Sequence, residues 1–154
     1  MIDIQGNNQF ALVTANMETA RDRLRQNPKW GADVLTLAGE YAWRASAARL
    51  YAMGPFGARL IDEQDSGFIA WGITGRKSCL AYRIRRENET TLRVEPLGYL
   101  ERRWKIGLSV ALACALVIPV LLSPLIWKMY REQTLRASRI YLPALCRYLE
   151  EGGQ

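Results

Sequence analysis

The chain has 154 residues, with 21 Lys and Arg against 15 Asp and Glu, and it contains no histidine. This length suits one small domain with a short extension, and it excludes two large domains. Without histidine, the chain has no imidazole general base and no imidazole ligand for a metal, a haem or a pigment.

The cysteines and the N-terminus limit the chemistry further. Cys79, Cys114 and Cys146 are far apart and form no CxxC pair, so zinc and iron–sulfur sites are not expected. A sparse, odd number of cysteines indicates a reducing compartment, and the first residues lack the pattern of a secretory signal. We therefore predict a cytoplasmic N-terminal domain without a metal or a cofactor. The mild basic excess favours anionic lipid headgroups over nucleic acid as partners.

The N-terminal half is predicted to be helical after an irregular start. Residues 1–15 show no clear pattern and are interpreted as an extended arm. Asn16 is a suitable N-cap for a short surface helix that ends at Pro28. Asp33 caps a second, longer helix that extends to about Met53, because small and aromatic residues recur in it at steps of three and four.

The next segment changes from helical to alternating periodicity. Four strands are predicted at residues 56–63, 67–74, 78–86 and 90–95, joined by short turns as an antiparallel meander. Leu80, Tyr82 and Ile84 are expected to face the core. Arg83, Arg85 and Arg93 are expected on the opposite face, where they can meet lipid phosphates, an acidic partner or water.

Residues 106–127 carry no charged side chain and predict a transmembrane helix. A helix of this length spans about 33 Å, against about 30 Å for the hydrocarbon core of a bilayer. Basic and aromatic residues flank the run at the expected level of the headgroups. These membrane-interface residues are Arg102, Arg103, Trp104 and Lys105 before the run, and Trp127, Lys128, Tyr130 and Arg131 at its end.

Small residues and prolines inside this run indicate contact with partner helices. Ala111, Cys114 and Ala115 permit close helix packing, and Pro119 and Pro124 predict a kink. A turn between the two prolines is the alternative, and it would return the chain to the side from which it entered. The basic residues on the two flanks are too evenly matched to decide.

The sequence thus predicts an α+β fold in which N-terminal helices pack on a four-stranded antiparallel meander. One transmembrane helix and an amphipathic C-terminal helix follow. The predicted boundaries are residues 1–100 for the domain, 101–130 for the membrane segment with its flanks, and 131–154 for the tail. The tail combines bulky apolar residues with arginines, so we expect it to lie on a membrane surface or on a partner.

Two local motifs resemble functional sites but have simpler interpretations. Residues 72–78 end in Gly-Arg-Lys-Ser, but their spacing is wrong for a phosphate-binding loop and they sit between two strands. Asp62, Glu63 and Asp65 cluster at a predicted hairpin tip, where solvated charge is the default interpretation.

These patterns predict a non-catalytic accessory subunit of a larger complex in the inner membrane. Its partners would be other membrane-protein subunits and anionic lipid headgroups. A membrane-tethered sensor is the main alternative, with an apolar ligand held between helix and sheet by residues such as Tyr41, Trp43 and Trp71. A third possibility is an enzyme that acts on lipid-linked substrates through Asp62, Glu63 and Asp65.

Overall fold

The computed structural model describes residues 2–5, 8–52, 58–73, 79–99, 106, 110 and 123–151. The strands are β1 (Ile2–Gln5), β2 (Asn8–Thr14), β3 (Arg59–Gln64), β4 (Gly67–Ile73), β5 (Cys79–Arg86) and β6 (Thr91–Pro96). The helices are α1 (Met17–Gln26), α2 (Trp30–Leu37), α3 (Ala42–Ala52) and α4 (Ser123–Glu150).

The strands form one antiparallel sheet with the order β1-β2-β6-β5-β4-β3. The four strands predicted from alternation are present as β3 to β6, and each pairs with its neighbour in the chain. The prediction of a four-stranded sheet is wrong, because β2 pairs with β6 and β1 extends the edge beyond β2. Ala11 and Val13 of β2 lie opposite Val94 and Leu92 of β6, and all four are buried.

The N-cap predicted for the first helix is confirmed, and the prediction of a single long second helix is wrong. The Asn16 side chain accepts a hydrogen bond from the Glu18 backbone N–H at 2.8 Å, as expected for an N-cap. The long helix expected from Asp33 to about Met53 is instead two helices, α2 and α3. Gly39 lies between them with φ of 76°, in the left-handed region of backbone conformation. Glycine adopts this conformation without steric strain, so it commonly ends a helix.

The C-terminal helix α4 belongs to the domain. Its residues Leu142, Leu145 and Leu149 are buried in the same core as the sheet residues. The buried hydroxyl of Ser138 accepts a hydrogen bond from the Ala81 backbone N–H at 2.9 Å, where β5 extends past the end of β6. The helix continues through Pro143, whose side chain is exposed. The amphipathic pattern of the tail thus docks it on the sheet of its own chain.

The prediction of a transmembrane helix is also wrong. None of the helices in the described part of the chain is long and apolar enough to cross a membrane. The last residues of the predicted span, 123–127, form the start of α4, which goes on through Lys128, Arg131 and Glu132. Residues 107–109 and 111–122 of the predicted span lie outside the described residues.

Contacts between the two flanks of the apolar run conflict with a single crossing. The Arg131 Nε donates a hydrogen bond to the Gly98 carbonyl oxygen at 3.1 Å. Gly98 also packs so closely on α4 that a Cβ there would lie 2.9 Å from the Arg131 carbonyl oxygen. One crossing between residues 106 and 127 would put these two residues on opposite sides of a bilayer, so they could not touch.

Candidate functional site: the arginine face of the sheet

The two faces of the sheet differ as the alternation in β5 predicts. Leu80, Tyr82 and Ile84 are fully buried on the face that the helices cover. The next residues along the strand, Arg83 and Arg85, are half-buried and exposed respectively. We call the surface formed by Arg83, Arg85 and Arg93 the arginine face.

One end of this same side of the sheet is apolar. Trp71, Cys79 and Ala81 are buried there, and Leu97 and Tyr99 pack against them. Ala81 lies on the same side of β5 as Arg83 and Arg85, but it has no exposed surface. Arg83 and Arg85 follow this apolar end along β5.

Strand register brings the three arginines together. Arg85 lies directly opposite Arg93, and Arg83 lies directly opposite Glu95. The Arg93 Nε is 2.8 Å from Glu95 Oε1, and its guanidinium stacks on the Phe10 ring at 4.1 Å from the centroid. Arg93 is thus engaged by a carboxylate and an aromatic ring. Because like charges directly opposite each other are unfavourable, Arg85 beside Arg93 favours an external anion.

A small cleft lies beside Arg83 and Arg85. Its volume is about 170 Å³, and residues from the β3–β4 hairpin line the rest of it. These lining residues are Asp62, Gln64, Ser66, Gly67, Phe68 and Ile69. Ligand pockets usually measure about 300 to 1,000 Å³, so this cleft is large enough for a single small group and not for a drug-sized ligand. Two arginines and one acidic residue, Asp62, line it.

Gly67 permits the close approach that shapes this cleft. It pairs with Arg85, and a Cβ at Gly67 would lie 2.6 Å from the Ile84 carbonyl oxygen and 3.2 Å from Arg85 Cγ. Any larger residue would push the Arg85 stem away from the hairpin. The contribution of the hairpin was not predicted from the sequence, although pairing β4 with β5 across their short turn would have placed Gly67 beside Arg85.

The arrangement is suited to binding a carboxylate or a phosphate. Guanidinium groups are planar, permanently charged and able to donate two parallel hydrogen bonds to such anions. Within the described part of the chain, Arg83 and Arg85 make no ion pair with a carboxylate. They are the two side chains of this face that can receive an external anion.

One residue of the acidic cluster at the hairpin joins two elements of the fold. Glu63 pairs with Arg25 and lies 3.8 Å from Arg21, so it ties β3 to α1. Asp62 lies at the irregularity between Ile61 and Gln64, with φ of 51°. Among the described residues, no group of three His, Cys, Asp or Glu side chains could hold a metal ion.

The buried titratable groups of the core favour their neutral forms. Burial raises the pKa of the Cys79 thiol to about 12 and that of the Cys146 thiol to about 11. Burial also raises the pKa of Tyr82 well above its usual value. Because the thiolate is the nucleophilic form of cysteine, these two thiols are held unreactive near neutral pH.

The predicted membrane-interface and helix-packing residues are only partly described. Trp127, Lys128, Tyr130, Arg131 and Pro124 all lie in the first turns of α4. The others lie outside the described residues: Arg102, Arg103, Trp104, Lys105, Ala111, Cys114, Ala115 and Pro119.

The aromatic residues proposed for an apolar pocket do not come together. Tyr41 is 70% exposed and Trp43 is 52% exposed, whereas Trp71 is buried on the side of the sheet that carries the arginine face. Tyr41 and Trp43 therefore do not enclose a ligand between the helices and the sheet.

Comparison with known proteins adds no relative to this description. No family model, no curated protein and no solved structure matches the chain.

Proposed function

We propose that the chain is a non-catalytic accessory subunit of a larger protein complex, and that it docks on an acidic surface of another subunit through Arg83 and Arg85. The observation that supports this proposal is the pair of arginines beside a cleft that is large enough for one small group. A carboxylate of the partner enters this cleft and meets both guanidiniums.

The expected energy of such contacts defines their role. Exposed ion pairs contribute about 0.2 to 1 kcal/mol each, so two arginines alone do not hold a stable complex. Charge complementarity acts mainly on the rate of association and on the choice of partner. We therefore expect the arginine face to select and orient the partner while other surfaces add affinity.

Copurification of the tagged chain from its native cells tests this proposal. We expect a defined set of associated chains with the wild-type protein and their loss with the double variant Arg83→Glu/Arg85→Glu. Arg86→Glu is the control for a single charge reversal outside the arginine face, because Arg86 is exposed on the same strand and points to the opposite face. The control should retain the associated chains.

Two outcomes would contradict the proposal. One is equal retention of the associated chains by the double variant and by wild type. The other is a monodisperse, partner-free protein that turns over a small substrate, because a non-catalytic subunit has no turnover.

The phosphate of an anionic lipid headgroup offers the same chemistry as a partner carboxylate. Sedimentation with vesicles that contain phosphatidylglycerol tests this source directly. Binding that is lost in Arg83→Glu/Arg85→Glu and retained in Arg86→Glu would assign the arginine face to lipid phosphate, and would replace the acidic protein surface as its partner.

A further inference from the structure

A groove follows one flank of α4, and none of its lining residues belongs to the arginine face. It consists of two adjoining clefts with volumes of about 520 Å³ and about 300 Å³, which share Glu132 and Leu135. The first cleft begins at Pro124 and the second ends at Ile140, so the groove follows about 24 Å of the helix. We call this surface the α4 groove.

The spacing of the lining residues places them on one flank of the helix. They recur at steps of three and four, as the neighbours on one helical surface do. From α4 these residues are Pro124, Trp127, Lys128, Arg131, Glu132, Leu135, Arg136, Arg139 and Ile140.

Gly98 forms part of the opposite wall of the first cleft. Its carbonyl oxygen accepts the hydrogen bond from Arg131, and an added Cβ would lie 3.3 Å from Leu135 Cβ. This close contact fixes the segment after β6 against the helix. The wall of the groove is therefore part of the folded domain.

The groove combines apolar surface with positive charge. Trp127 and Leu135 are half-buried along it, and Ile140 is 65% exposed at its end. Four cationic residues line the groove with a single acidic one, Glu132. Two further apolar side chains of the same half of the helix, Leu125 and Met129, are 57% and 52% exposed.

We propose that the α4 groove binds an acidic amphipathic helix of a partner protein. A helix laid in a groove places apolar residues at steps of three and four into the apolar strip, and this is a recurrent mode of peptide recognition. Charge complementarity sets the sign of its flanks, because four cations and one carboxylate favour a segment rich in Asp and Glu. A helix of about 18 residues matches the length of the groove.

Fluorescence anisotropy on the full chain tests this proposal with a labelled synthetic peptide. The peptide has about 18 residues, with Leu at steps of three and four and Glu on the flanks. We expect saturable binding that weakens as the salt concentration rises. We also expect the double variant Lys128→Glu/Arg136→Glu to raise the Kd by about tenfold.

Two controls separate groove binding from general attraction to charge. Arg147→Glu reverses one charge at an exposed site of α4 beyond the groove, and it should change the Kd by less than about twofold. A peptide of the same composition with a scrambled order should not bind, because it has no continuous apolar face.

Three results would overturn the proposal: equal binding of the scrambled peptide, an equal effect of Arg147→Glu, or no saturable binding of the ordered peptide. Arg83→Glu/Arg85→Glu should leave peptide binding unchanged. The α4 groove and the arginine face can therefore fail independently.

Discussion

Truncation of Leu145 to alanine tests whether α4 is part of the folded domain. Leu145 is fully buried and belongs to the core that the sheet and helices share. The substitution removes three carbon atoms from that core, at about 0.8 kcal/mol for each buried methylene, and it leaves a cavity that adds a further cost. We therefore expect Leu145→Ala to lower the free energy of unfolding by about 3 to 4 kcal/mol.

Equilibrium unfolding in urea measures this loss through the fluorescence of the buried Trp30 and Trp71. Ile140→Ala is the matched control, because Ile140 is on the same helix and is 65% exposed. It should change the free energy of unfolding by less than about 0.5 kcal/mol. Leu145→Val, a smaller truncation, should give an intermediate loss if Leu145→Ala fails to fold. A loss below about 1 kcal/mol for Leu145→Ala, or losses equal to that of the control, would refute the packing of α4 on the sheet.

Two further predictions concern single hydrogen bonds of α4. Ser138→Ala removes the acceptor of the Ala81 N–H, which should cost about 1 to 3 kcal/mol and accelerate hydrogen exchange of the Ala81 amide; unchanged exchange would contradict the bond. Tyr141→Phe tests the bond from the Tyr141 hydroxyl to Glu40 Oε1 at 2.6 Å, which is the main cause of the lowered pKa of Glu40. A carboxyl group whose pKa is lowered in the folded state stabilises the fold at pH values above its unfolded pKa, here 4.5. This stabilisation is lost as the pH falls through the folded pKa. The stability difference between wild type and Tyr141→Phe should therefore shrink below pH 4.5. An NMR titration should show a higher Glu40 pKa in Tyr141→Phe, and an unchanged value would refute the assignment.

Local sequence patterns predicted those elements whose geometry depends on residues close together in the sequence. Alternation in β5 predicted both the buried face at Tyr82 and the opposite face with Arg83 and Arg85, because successive side chains of a strand point to opposite faces. Asn16 predicted the start of α1 because a cap acts within one turn. The break at Gly39 was missed because the small-residue stripe continues through α2 and α3 and hides the change in direction.

The errors arose where contacts join distant parts of the chain. β2 is mixed in composition, and it pairs with β6, about eighty residues later in the sequence. The stripe of Leu142, Leu145 and Leu149 was visible, but the sequence did not show which surface would cover it. The long apolar run before it suggested a membrane boundary, whereas Gly98 and Arg131 are in contact.

At the candidate site, the sequence predicted the face on which the arginines lie. It did not predict their contacts with other strands, because Phe10 and Gly67 are brought to Arg93 and Arg85 by strand register. The α4 groove was also missed, because one of its walls is supplied by Gly98 from another part of the chain.

A double-mutant cycle on Asn27 and Tyr148 tests most directly that both sides of the apolar run fold into one domain. The Asn27 Nδ2 donates a hydrogen bond to the Tyr148 hydroxyl at 2.9 Å, which joins the end of α1 to the end of α4. With Asn27→Ala, Tyr148→Phe and the double variant, urea unfolding should give a coupling energy of about 0.5 to 1.5 kcal/mol. Additive effects of the two substitutions, with no coupling energy, would contradict the packing of the end of α1 against the end of α4 in one domain.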